Sequence, residues 1–154
     1  MNRTLTVSLT IMSALLLSMS VYGQTGSTEK RGRMNMSMIR HHFVMRNGID
    51  PQYEDKVNPL KNTTENIAAG KTLFEKHCAA CHGLTGQGDG EAGKNLQPPP
   101  ANVAMFIRMH KVPDSYLYWT IAEGGTPLQT AMPPFKEAMQ EYEIWKTILY
   151  LREL

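Results

Sequence analysis

Apolar positions fall into one long uncharged run near the start of the chain and, much later, into stretches that repeat at helical spacing. The run is Leu5 to Val21, rich in Leu, Ile, Val and Met. Thr63 or Thr64 caps a predicted helix that carries Ile67, Ala68, Leu73 and Phe74 toward a pair of cysteines, the threonine oxygen accepting from orphan amides of the first turn. Gly83 to Gly93, with Gly86, Gly88 and Gly90 between, predicts an irregular loop, since a regular element would tolerate so many glycines poorly. Pro98-Pro99-Pro100 is expected to be extended, and Asn102 to open a short helical turn through Met105 and Phe106. Asp114 as N-cap begins a helix over Tyr116 to Glu123 that Gly124-Gly125 closes. Gln140 or Glu141 starts the last helix, where Ile144, Ile148 and Leu151 share a face. No segment alternates like a strand, so the expected fold class is all-α.

Composition changes this picture little. With 154 residues, 42% hydrophobic and 19% charged, the chain is sized for one globular domain plus flanking segments, and neither a bundle of membrane helices nor a disordered chain fits. A net charge of +2 gives no reason to expect a nucleic-acid partner. The start of the chain says more. Met1-Asn2-Arg3 is a positive lead, the uncharged run follows, and Ser18, Ser20 and Gly23 supply small residues. That is the layout of a secretory signal peptide over residues 1–23, cut after Gly23. An uncleaved anchor competes with it, because the run is close to the ~20 residues a membrane span needs. Either way the remainder leaves the cytoplasm, and the expected location is the periplasm.

Charge divides the exported part. Residues 24–49 hold Lys30, Arg31, Arg33, Arg40 and Arg46 against Glu29, a net of +4, whereas residues 61–154 carry a net of −1. Between them Asp50-Pro51 and Asn58-Pro59 predict an extended or turning connector. The expected organisation is therefore a signal over 1–23, a basic Met/His segment with its connector over 24–60, and a compact domain over 61–154.

Chemistry concentrates at Cys78-Ala79-Ala80-Cys81-His82, the C-x-x-C-H spacing of covalent haem c attachment. Two thiols three positions apart near a helix end can reach two vinyl groups on one side of a porphyrin, and the next residue directs its imidazole at the iron. A redox disulfide would want a βαβ setting, and a structural zinc site would want a second cysteine pair; the sequence offers neither. For the other face of the iron, Met132 stands in Thr130-Ala131-Met132-Pro133-Pro134-Phe135, where two prolines lower the entropy lost in holding a ligand. Met105, Met109 and Met139 are rivals that also suit core packing; His110 would be a surface residue, and His77 is expected to point elsewhere than His82.

At these residues the chain resembles class I c-type cytochromes, over about Asn62 to Leu154. The matching parts are Gly70-x-x-x-Phe74-x-x-x-Cys78, Cys81-His82, the Met132-Pro133-Pro134-Phe135 loop, and Ile144-Trp145-x-x-Ile148-Leu149-Tyr150-Leu151. The resemblance implies three to five helices around one covalent haem, with Gly70 allowing the first and last helices to approach and Phe74 and Tyr150 packing in their crossing. It also implies a carbonyl from the loop after the haem motif, at Pro98, Pro99 or Pro100, that orients His82. The segment before Lys61 departs from the family pattern.

That segment holds Met34, Met36 and Met38, then His41, His42 and Met45. Thioethers and imidazoles suit Cu(I), so a copper site is one reading. The favoured reading is an amphipathic helix whose Met and Phe face packs on the domain or a partner, with basic residues on the other side toward anionic lipid or an acidic protein.

With His82 and Met132 both bound, no iron site is left for substrate. The expected function is an exported electron carrier, not itself an enzyme, serving redox donor and acceptor proteins in a respiratory or oxidase-linked chain. The alternatives are a copper-handling or docking subunit of a larger redox complex, and a haem protein whose sixth ligand gives way to a small molecule.

Overall fold

The structure is a computed structural model that describes residues 39–109 and 111–154. The expected signal at 1–23 lies outside the described residues, as do Met34, Met36, Met38 and His110. Every regular element among the described residues is helical, as the apolar spacing implied. In chain order they are α1 (39–47), α2 (Pro51–Glu54), α3 (Thr64–His77), α4 (Ala79–His82), α5 (Val103–Met109), α6 (Asp114–Glu123) and α7 (Glu141–Leu151). Single 3₁₀ turns lie at Glu91–Gly93 and Thr126–Leu128. None of the described helices is long and apolar enough to cross a membrane.

The frame is the crossing of α3 and α7. Thr63 is extended and its hydroxyl accepts from the Asn66 amide at 3.3 Å, which starts α3. At Gly70 the two helices meet so closely that a Cβ would collide with the main-chain carbonyl of Lys146. Only glycine lets the backbones meet there. One turn on, the Phe74 and Tyr150 rings pack with centroids 5.4 Å apart, and Phe74 is buried. At the start of α7 the Gln140 amide donates to the Glu143 carboxylate at 2.8 Å, which satisfies an otherwise orphan amide.

Helix α6 is buried from Ser115 through Trp119 and again at Ile121 and Ala122. Its N-cap is Pro113, not Asp114 as expected. Proline's fixed φ (−67°) already supplies the extended cap conformation, and the Asp114 carboxylate is engaged by Arg152 at 2.6 Å instead of folding back onto the helix. Asn102 does cap α5 as expected, its Oδ1 accepting from the Met105 amide at 2.8 Å.

Residues 39–60 pack on this frame. Phe43 of α1 stacks on Trp119 at 6.3 Å, nearly parallel, and Val44 and Ile49 lie against the core. Within the stretch expected to be extended or turning, Pro51–Glu54 instead forms the single helical turn α2, while residues 55–60 hold no regular element. Asp50 keeps the extended ψ (128°) that a following proline demands, and its carboxylate accepts from the Gln52 amide. Tyr53 is buried in the core beside Tyr118, and its hydroxyl donates to Glu123 at 2.5 Å. Lys56 pairs with Glu141 at 2.7 Å, and Asn58 donates to the Trp145 carbonyl.

Candidate cofactor site

Helix α3 ends at His77, and Cys78 closes it with its amide donating to the Phe74 carbonyl at 2.8 Å. The chain then makes one further turn. Cys81 and His82 both donate their amides to the Cys78 carbonyl, at 3.2 and 2.9 Å, so the two thiols and the imidazole are carried by a single rigid turn. The glycine-rich loop folds back on this turn: Gly90 donates to the Cys81 carbonyl at 3.1 Å and Gly88 to that of His82 at 2.7 Å.

These side chains face a cavity of about 230 Å³ walled chiefly by apolar groups, Phe74, Phe106, Leu117, Ile121 and Phe135 among them. Cys78, Cys81, His82 and Met132 all line it. Both cysteines are free thiols. Burial, helped by the neighbouring Cys81, pushes the Cys78 thiol up to about 12, so it is protonated at neutral pH.

The His82 Nδ1 lies 3.0 Å from the Ala101 carbonyl. A carbonyl only accepts, so Nδ1 carries the proton and Nε2 keeps its lone pair for a metal. Burial lowers the pKa of His82, the Ala101 carbonyl works against that, and the charge of Arg40 lowers it further. The carbonyl was expected from Pro98, Pro99 or Pro100, and it comes from the next residue. Ala101 sits just before the Asn102 cap of α5, so its carbonyl direction is set by a helix start.

Met132 lies in an irregular loop bolted to the end of α6. Gly125 donates its amide to the Met132 carbonyl at 2.8 Å, and Phe135 donates to the Ile121 carbonyl at 3.2 Å. Gly124 has φ +58°, and a Cβ there would strike the Pro133 carbonyl, so glycine is required for the loop to close this tightly. Of the rival methionines, Met139 is buried in the core and Met105 does not reach the cavity wall. His77, expected to point away, does reach the wall, where its ring meets Phe135 edge-on at 6.0 Å.

Of the residues weighed for copper, the described ones, His41, His42 and Met45, are not gathered into one site. His41 packs edge-on against Phe106 at 6.1 Å, His42 lies 6.4 Å from it with the rings tilted, and Met45 is 73% exposed. No group of three or more His, Cys, Asp or Glu side chains among the described residues is placed to hold a metal ion. Arg40, expected on the solvent side of this segment, instead turns inward and lines the cavity together with Tyr116 and Thr120. Tyr116 and Thr120 stand four apart on α6, a same-face pairing legible in the sequence once α6 is drawn as a helix. The Arg40 orientation had no such signal.

The donor set suits a covalently held haem. Two thiols, a neutral imidazole and a thioether meet in one apolar cavity, and the buried polar atoms Arg40 Nη1, Tyr116 OH and Thr120 Oγ1 on its walls lack hydrogen-bond partners.

Comparison with known proteins agrees with this chemistry. The chain is 26% identical over 131 residues to the cbb3-type cytochrome c oxidase subunit CcoP of Azospirillum brasilense, an alignment covering 82% of this chain and 43% of that subunit. It is 28% identical over 89 residues to cytochrome c-554(547) of Halothiobacillus neapolitanus, covering 58% of this chain and 97% of that protein. Among solved structures, a chain of the Kuenenia stuttgartiensis reducing HAO-like protein complex superposes with a TM-score of 0.50 at 26% identity, over 62% of this chain and 46% of that one. The chain thus spans less than half the length of the oxidase subunit and of that solved chain. Residues 65–151, more than half of the sequence, match the family described as cytochrome C oxidase, cbb3-type, subunit III, and the chain belongs to that family of c-type cytochrome domains, which carry covalent haem c.

Proposed function

We propose that this protein is an exported electron carrier with one haem c held by Cys78 and Cys81 and ligated by His82 and Met132. The observation that carries the proposal is the convergence of these four side chains on one apolar cavity, with the Nδ1 of His82 committed to Ala101. Cys78 and Cys81 would hold the haem through two thioethers, each formed by net addition of a thiol S–H across a vinyl group, a step that needs no oxidant or reductant. The neutral His82 imidazole is ready to ligate without losing a proton first, and the Ala101 carbonyl keeps it oriented and raises its basicity. Pro133, Pro134 and the Gly125–Met132 hydrogen bond hold the thioether loop in place, which limits the entropy lost on ligation. Phe74, Phe106 and Phe135 line the cavity and would keep water away from a bound haem. When bound, haem supplies one-electron exchange between ferrous and ferric iron, and thioether ligation favours the ferrous form.

The name of the Azospirillum relative supports placing this carrier in an oxidase-linked chain with redox protein donors and acceptors. The layout of residues 1–23 supports a periplasmic location. For residues 39–47 the packing of Phe43 and Val44 supports a segment that serves the cavity wall, in preference to a copper arm. Equilibrium dialysis with Cu(I) is expected to give no stoichiometric copper on the full chain.

The test is a pyridine haemochrome spectrum and intact mass of the periplasmic protein, followed by carbon monoxide addition after reduction. One haem through two thioethers, with no rapid carbon monoxide binding, is the expected result. A colourless protein with both thiols titratable overturns the proposal, and rapid carbon monoxide binding favours a displaceable Met132.

A further inference from the structure

Three polar groups on the cavity wall have no assigned work. Arg40 Nη1, Tyr116 OH and Thr120 Oγ1 are each buried without a hydrogen-bond partner. Leaving such groups unsatisfied forfeits their hydration with nothing in return, most of all for a charged one, so three around one cavity mark a seat for a ligand group. All three residues line the cavity that holds Cys78, Cys81, His82 and Met132. Tyr116 and Thr120 are one helical turn apart on α6, so their hydroxyls are offered from the same face.

Arg40 comes from α1 and is held from two sides. Its Nη2 donates to the Gly124 carbonyl at 2.6 Å, at the same corner that bolts down the Met132 loop, and its guanidinium lies 5.2 Å from the centre of the Trp119 ring. Those contacts fix the fork and leave Nη1 directed at no protein acceptor. Arg40 has no carboxylate partner among the described residues, although a buried cation ordinarily has one. A cation and two hydroxyl donors, unpartnered in a mostly apolar wall, specify an anionic, oxygen-rich group brought by the occupant. A haem has such groups in its propionate carboxylates.

We infer that Arg40, with Tyr116 and Thr120, seats one haem propionate, so that residues 39–47 are a strap supplying the counter-charge for the cofactor. The inference rests on haem occupying the cavity as proposed above. The positive charge opposes removal of an electron from the neighbouring iron, so the strap favours the ferrous state. The guanidinium fork matches a carboxylate in a way an ammonium does not.

The experiment uses the full-length holoprotein with Arg40→Gln, Arg40→Lys, Tyr116→Phe and, as control, Arg46→Gln. Arg46 lies on the same helix and is exposed, so its loss removes an equal charge away from the cavity. Haem content is fixed first by pyridine haemochrome; potentials and ferric-minus-ferrous infrared spectra of the carboxylate stretch are then compared. In Arg40→Gln the ferrous-to-ferric ratio at a fixed applied potential is expected to fall about tenfold, which is ~59 mV for a one-electron couple. Arg40→Lys falls less, and Arg46→Gln does not move. The carboxylate bands shift in Arg40→Gln and in Tyr116→Phe, a change that mere loosening of the fold would not place in the carboxylate region. If Arg40→Gln yields no holoprotein, Arg40→Lys and Tyr116→Phe carry the test. Haem-loaded variants with unchanged carboxylate bands, or an Arg46→Gln shift equal to that of Arg40→Gln, overturn the inference alone. A wild-type chain without haem overturns it together with the electron-carrier reading.

Discussion

At Gly70 the whole side chain is a single hydrogen, and the α3–α7 crossing depends on that. The atom a Cβ would meet is the Lys146 carbonyl, part of the α7 backbone, which cannot step aside as a flexible side chain can. Gly70→Ala is therefore expected to destabilise the holoprotein by about 1–3 kcal/mol, the usual range for overpacking, read as a lower urea midpoint. An unchanged midpoint would mean the helices can separate freely. Asn102 acts more locally. Its Oδ1 caps α5 through the Met105 amide, and the preceding carbonyl is the one that holds His82. Asn102→Ala should lower stability by about 1 kcal/mol, as other lost N-caps do, and should also disturb the ferric haem spectrum because the imidazole loses its fixed reference. A stability loss with an unaltered spectrum would show that Ala101 is held by other contacts. Gly70, Phe74 and Tyr150 were legible through the resemblance to class I c-type cytochromes, which implies a crossing of the first and last helices at these residues. Ala101 was not, since a run of prolines offers several neighbouring carbonyls and only the helix start after it decides which one turns inward.

Between elements, one link of the amino-terminal segment to the domain is polar. The Tyr53 hydroxyl of α2 donates to Glu123 at the end of α6, and Lys136 approaches the same carboxylate at 3.0 and 3.1 Å. The Tyr53 hydrogen bond first, and Lys136 second, hold the Glu123 carboxyl below its ordinary value of 4.5, against some opposing burial. In the unfolded chain Glu123 binds a proton near 4.5 and in the folded chain only at lower pH, so unfolding takes up a proton in that window. The stabilisation from this link is thus complete above about pH 4.5 and disappears as pH falls through the folded value. Tyr53→Phe should cost about 1–2 kcal/mol at neutral pH, and the gap to wild type should narrow in acid titrations monitored by circular dichroism. A gap that stays constant from pH 7 to 3 would mean the hydroxyl acts only through packing. The elements themselves were largely legible: Thr63, Gly124 and Gln140 are terminus signals whose chemistry is local. The start of α6 was misplaced by one residue because Asp114 is drawn to Arg152, a partner 38 positions away that no local pattern encodes.

For the molecule as a whole, the question is what residues 39–60 contribute. The change in charge near residue 60 is visible in the sequence, but charge does not record packing, and in the structure this segment covers one side of α6. Phe43 shields Trp119, which is only 2% exposed, while Tyr53 is buried against Tyr118. Fully burying a side chain of that size contributes about 1.5–3 kcal/mol; Tyr53 is buried and Phe43 only partly so, and together they represent about 2–4 kcal/mol. That is a large share of the 5–15 kcal/mol typical of a folded domain. A chain begun at Lys61 retains the cysteines, His82, Met132 and the α3–α7 crossing, so it should still take up haem and show the same axial ligation. It should nevertheless unfold at a clearly lower urea concentration, with Trp119 emission shifted to the red by exposure to water. The cavity would also lose Arg40 from its wall, so the truncated holoprotein should share the lowered potential expected of Arg40→Gln. Stability and potential are independent readouts. A truncated protein matching full-length in both would make the segment a passive tail, whereas loss of stability alone would leave it a structural cover with no electrostatic role at the iron.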